Sequence, residues 1–164
     1  METMKTLLSR RSISKLKSPH PSKDEMADVY QAALRAPDHS WLRPWKFIEV
    51  TGVSRDKLGK AFINSTKKTE EVDDEREKKI ASLPLRSPMI IVVVAKINYD
   101  KPNVPRLEQI QSTAAAAQNI LLALHDKGYG AYWRTGKYST ERNEHISSEL
   151  SLDKEDEVLG YLYV

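Results

Sequence analysis

Apolar positions along the chain fall alternately into helical and strand periods. Met4, Leu7 and Leu8 share one side of a short helix that ends near residues 9–12, and residues 15–21 read as a loop. Ser22 and Glu25 form a capping box ahead of Met26, Val29, Tyr30 and Ala33. That helix stops at or before Ala36, because Pro37 disfavours helical geometry in the residue before it. After a loop over residues 37–44, Lys46–Val50 reads as a strand closed by Thr51–Gly52. Residues 54–83 read as one long, very polar helix, and Met89–Ala95 as a strand buried on both faces.

Pro105 suits the first turn of a helix running to about Lys127, with Gly128 as its stop. Leu107, Ile110, Ala114, Ala117, Leu121 and Leu124 make its apolar side. The alanines at 114–117 allow close approach of another helix, from the same subunit or from a second one. Tyr129–Arg134 reads as a short strand, Thr140 as the cap of a small helix to Leu150, and Val158–Val164 as the last strand. This alternation predicts an α/β (α+β) sandwich of about four strands with helices on its faces, a single domain over residues 1–164.

Composition narrows the classes. The 164 residues suffice for one real core. With no cysteine, disulfides, thiolate metal sites and cysteine nucleophiles are excluded. The net charge of +3 is compatible with an anionic ligand but falls short of the dense basic stripe of a nucleic-acid binder. The charge run over residues 67–79 reads as a solvated helix face. Arg10 and Arg11 follow the first apolar residues rather than precede them, unlike a signal peptide, and the apolar run at residues 89–95 is too short to span a bilayer. A cytoplasmic protein with neither nucleic-acid nor membrane partners is expected.

Four groups carry candidate chemistry. Arg10, Arg11 and Ser12 offer two guanidinium forks and a hydroxyl to a phosphate, although basic residues at a helix end also balance its dipole, as Arg35 does after the second helix. Asp38 and His39, in a proline-bounded loop, suggest an acid/base dyad or simple loop capping; no second histidine lies at ligand spacing, so no metal site is expected. Trp133-Arg134-Thr135-Gly136 ends a predicted inner strand, where a ring can stack and an anion be held; a core tryptophan is the plain alternative. Gly128-Tyr-Gly130 is too short for a phosphate-binding loop, and the chain has no dinucleotide-binding glycine fingerprint and no P-loop.

In order along the chain, these segments resemble the nitroreductase family. The resemblance rests on Arg10-Arg-Ser-Ile-Ser14, on Arg35-Ala-Pro-Asp-His39 ahead of Pro44-Trp-Lys-Phe47, and on Gly128-Tyr-Gly-Ala-Tyr-Trp-Arg-Thr-Gly136. It covers residues 2–164 and is closest to the small single-domain branch with the Arg-Ala-Pro-Asp-His form. It implies a mainly antiparallel central sheet flanked by helices, and a homodimer binding FMN at the subunit interface. Arg10, Arg11 and Ser12 would hold the FMN phosphate and ribityl chain, with Arg35 at the same site and His39 reaching in from the partner. Trp133, Arg134 and Thr135 would line the flavin, and Lys127–Gly128 would help to receive NAD(P)H.

The implied activity is ping-pong electron transfer from NAD(P)H to a nitroaromatic, quinone or similar electrophilic acceptor. The hydride chemistry belongs to the flavin, so no catalytic side chain is expected. A non-catalytic flavin- or partner-binding module on the same fold is the alternative. Trp41 and Arg43 motivate it, where many members carry a small polar residue or Asn, and Gln. So does the end at Val164, inside the last predicted strand, where relatives continue into a tail that crosses to the partner. That tail is expected to be absent or truncated here. A small nucleic-acid binder is a third reading, motivated only by the sequence pI of about 9.0.

Overall fold

A computed structural model describes residues 2–139 and 141–164. The helices are α1 (Thr3–Ser9), α2 (Lys23–Ala33), α3 (Ser54–Lys67), α4 (Asp74–Ala81), α5 (Arg106–Asp126) and α6 (Asn143–Glu149). The strands are β1 (Trp45–Thr51), β2 (Met89–Lys96), β3 (Tyr132–Arg134) and β4 (Asp156–Tyr163), in one antiparallel sheet of order β1-β2-β4-β3.

The β-branched run of β2 sits at the centre because it can fill two cores at once. Met89, Ile91 and Val93 face α2 and α5, while Ile90, Val92 and Val94 face the layer of α3, α4 and α6. Opposite Val93 and Val94, β4 carries one extra residue, Leu159. This bulge lets Val158 and Tyr161, three positions apart, share the α3 side, while Leu162 stays on the α5 side.

Local signals fix several element ends. Ser22 Oγ accepts from the Glu25 N–H, and Glu25 Oε2 accepts from the Ser22 N–H at 2.8 Å. Gly128, at φ +88°, ends α5 in a double closure: its N–H donates to His125 O and that of Tyr129 to Leu124 O.

Other expectations need correction. The polar stretch 54–83 is two helices and a short 3-10 turn over Leu83–Arg86. Asp73 restarts the helix by accepting from the Arg76 N–H at 2.8 Å, and Glu70 turns toward Arg76 and Arg142. The strand expected from Tyr129 begins only at Tyr132, because the Tyr129 N–H is taken by the end of α5. Leu107 is exposed, and the buried face of α5 runs instead through Gln109, Thr113, Ala116, Ala117, Ile120 and Leu124. Gln109 belongs there because its amide donates to Asn98 O and Val104 O and accepts from the Asn98 N–H. Thr140, the expected cap of the small helix, lies outside the described residues.

On α1 the helical spacing of Met4, Leu7 and Leu8 is real but points outward. All three are exposed, and only Thr6 is buried.

Candidate functional site

Strand β3 is an edge strand: it pairs with β4 on one side only. Along its other side runs the segment after α1, tied by the Ile13 N–H donating to Ala131 O at 3.1 Å. Arg10–Ser12 and Trp133–Thr135 are thereby drawn to the same border of the sheet. Arg10 caps α1 through its N–H to Thr6 O, and Arg11 and Ser12 are exposed. Among the described residues, the side chains of Arg10, Arg11, Ser12 and Arg35 have no hydrogen-bond or ion-pair partner.

The pleat splits the second half of the site. Trp133 packs with the α2–α5 core, its indole Nε1 buried without a partner, against Gly160 of β4. Arg134, one residue on, faces the α3–α4 side together with Tyr132 and Tyr163. There Arg134, Thr135 and Gly136 form one wall of a cleft of about 750 Å³, and α4 with the turn after it forms the other. Lys79, Arg86 and Lys137 line the same cleft, as do Asp73, Glu75 and Glu141.

Tyr163 stacks on Tyr132 with ring centroids 4.8 Å apart. Burial pushes its hydroxyl up to about 12, although Arg134 and Arg86 pull the other way.

The remaining predicted residues lie elsewhere on the single chain. Arg35 lines a groove between α1, α2 and α5. His39 Nδ1 donates to Glu108 Oε2 at 2.7 Å, near the start of α5, so its partner is not Asp38. Asp38 instead closes its own loop, its Oδ2 accepting from the Arg43 N–H at 2.6 Å. Ser40, Trp41 and Arg43 in this loop have left-handed φ of 61°, 57° and 47°. Trp41 is 81% exposed, with the Arg43 guanidinium 5.7 Å from its ring centroid. Lys127 Nζ is paired with Asp28 Oδ2 at 2.7 Å, beside the helix-ending Gly128.

Sequence reasoning missed Lys79 and Arg86 as cleft residues, and the stacked pair of Tyr132 and Tyr163 on the same side of the sheet. The available signal for Arg86 was its place just ahead of the buried strand β2, at the rim of the sheet. Tyr163 carried only the alternation of β4.

Comparison with known proteins bears on this arrangement. The nitroreductase family model matches residues 7–164. The Escherichia coli K12 protein named "Putative NAD(P)H nitroreductase YdjA" is 30% identical over 164 residues, spanning 100% of this chain and 87% of that one. Among solved structures, the nitroreductase-like family protein from Bacillus cereus aligns with a TM-score of 0.85 at 26% identity, over 99% of this chain and 84% of that one. The FMN-dependent nitroreductase from Clostridium difficile R20291 aligns with a TM-score of 0.69 at 26% identity, over 98% and 85%.

Proposed function

Because this chain belongs to the nitroreductase family, we propose that it is an FMN-dependent oxidoreductase, moving electrons from NAD(P)H to an electrophilic small molecule. The observation that carries the reading is the cluster at the open edge of β3. Arg10, Arg11 and Ser12 stand there without internal partners, next to a strand whose outer side is only partly paired. An unneutralised pair of guanidinium groups suits a phosphate dianion, and exposed edge N–H and C=O groups suit a polar ring rim. The residues present therefore fit FMN.

When bound, FMN supplies a ring that takes a hydride from a nicotinamide and gives electrons to an acceptor. The chain supplies placement and charge. Arg10 and Arg11 anchor the phosphate, and Ser12 donates its hydroxyl beside them. Arg134 holds positive charge on the cleft side of β3, where negative charge would gather on reduction. Trp133, being turned into the core, contributes through its backbone and by fixing the strand, not by stacking on the ring.

A second copy of the chain completes the site in this reading. The outward stripe of Met4, Leu7 and Leu8 on α1 supports a homodimer, since a contiguous exposed apolar face marks an interaction surface. His39 and Arg35, remote from β3 on one chain, would be delivered to the site by that pairing, and Lys127–Gly128 would meet the nicotinamide donor. Donor and acceptor take turns at one cleft, which gives ping-pong kinetics with nitroaromatic or quinone acceptors. The location is the cytoplasm.

The test is a visible spectrum after incubation with FMN and desalting, followed by anaerobic NADH or NADPH. Retained flavin bands that bleach promptly are expected. Retained bands that do not bleach would transfer the assignment to a non-catalytic flavin-binding module, and no retained flavin would remove the FMN reading.

A further inference from the structure

The cleft beside β3 is lined by cations of two kinds, ion-paired and unpaired. Arg134 comes from the strand, Arg86 from the turn after α4, and both line the cleft. Asp73, Glu75 and Glu141 also line the cleft. Neither arginine has an ion-pair partner among the described residues. By contrast, the nearby Arg76 and Arg142 are both consumed by Glu70, and Lys137 also reaches it. The sequence thus neutralises one set of cations around the cleft and leaves the other open.

Two like charges lining one cleft, and held in no ion pair, raise the local potential around them and favour an anion. Guanidinium forks favour oxyanions, phosphate or carboxylate, over halides, because they can donate two parallel hydrogen bonds. Lys79, on the α4 side, lines the same cleft with no ion-pair partner among the described residues.

We propose that Arg86, acting with Arg134, forms an oxyanion subsite in this cleft, which selects a small-molecule substrate bearing a phosphate or carboxylate. The identity of that molecule as electron donor or acceptor rests on the oxidoreductase reading above; the anion site itself does not. A phosphate on the ribose of the donor would make the protein prefer NADPH to NADH. A carboxylate on an aromatic acceptor is the other source of the same chemistry.

Calorimetric titration of the purified protein with 2′-AMP and, separately, with benzoate tests this in wild type, Arg86→Met and Arg86→Lys. Arg86 is exposed, so its replacement leaves the core untouched. Saturable wild-type binding of at least one probe is expected, weakened about tenfold or more in Arg86→Met and partly restored in Arg86→Lys. Loss confined to 2′-AMP assigns the subsite to the donor, and loss confined to benzoate assigns it to the acceptor. Equal binding of both probes by wild type and Arg86→Met, or no binding of either by wild type, overturns the proposal. Flavin bleaching is read in parallel on the same samples. Failure to bleach with intact probe binding would sink the oxidoreductase reading alone, and normal bleaching with no probe binding would sink the subsite alone.

Discussion

Gly160 holds the site strand in place, and Gly160→Ala should unfasten it. The residue sits at φ +144°, a region that L side chains rarely enter. A Cβ built there would lie 2.4 Å from Trp133 Nε1 and 2.5 Å from Arg134 O. Ordinary contact is at about 3.5 Å, so the methyl intrudes by roughly 1 Å on a backbone atom as well as a side chain. A rotamer change of Trp133 relieves only the first clash. The second requires β3 to move, and that strand has just three paired positions to hold it.

Backbone strain of about 1–3 kcal/mol and overpacking of about 1–3 kcal/mol give a loss of roughly 2–6 kcal/mol. Against the ~5–15 kcal/mol stability of an ordinary domain, that is a large fraction. Urea unfolding followed by far-UV circular dichroism should show the midpoint falling by about 1–3 M, for an m-value near 2 kcal/mol/M. Tryptophan fluorescence should report altered surroundings for Trp133 even before unfolding. A cycle with Trp133→Leu separates the two clashes: coupling is expected, but Gly160→Ala should stay destabilising in the Leu background. A midpoint shift below about 0.3 M would refute the account of how β3 is seated.

Three further outcomes are expected. Arg10→Ala should weaken FMN binding about tenfold to a hundredfold by fluorescence titration, and unchanged affinity would remove Arg10 from the phosphate site. Thr113→Val should cost about 1 kcal/mol in denaturant unfolding, because the buried hydroxyl donates to Pro44 O at 2.7 Å and so fixes the end of the 37–44 loop; an unaffected midpoint would show that the loop is held otherwise. Burial, reinforced by the charge of Asp153, raises the Asp156 carboxyl above its usual range, and its Oδ2 has no hydrogen-bond partner. The folded chain then holds that proton more tightly than the unfolded one, so stability is greatest below the unfolded pKa and is lost as pH rises through the folded value. Asp156→Asn should therefore unfold at higher denaturant than wild type at pH 7 and at nearly the same denaturant near pH 3, and a pH-independent difference would contradict the burial argument.

Local chemistry made much of the fold legible. The Ser22–Glu25 box, the doubly buried run of β2 and the stop at Gly128 each depend on neighbouring residues alone, and each is present. The break after α3 was not readable, because Lys68–Asp73 is helix-tolerant and what bends it is Glu70 reaching Arg142, 72 residues on. The core face of α5 was misplaced for a related reason. A leucine at 107 looks like core and a glutamine at 109 does not, yet Gln109 is buried by satisfying the loop over 98–104.

At the candidate site, the sequence gathered Arg10–Ser12 and Trp133–Thr135 as two separate signals; the Ile13–Ala131 hydrogen bond is what joins them. The strand read at residues 129–134 already implied, by its alternation, that Trp133 and Arg134 point to opposite faces, yet the two were grouped as one motif. Arg86 escaped notice because its place ahead of a buried strand tells where the residue lies but not what it meets. Its meaning comes from the partner it lacks.

The opposed directions of Trp133 and Arg134 also separate what can be varied from what cannot. Substitutions at 134, 86 and 79 explore the cleft without entering either core, so a library there would sample ligand preference at nearly constant foldability. A library at 131, 133 and 160 would be filtered by folding before any binding could be selected. One three-residue strand thus divides adjacent positions into an evolvable side and a conserved-by-packing side, and retargeting this protein should begin on the first.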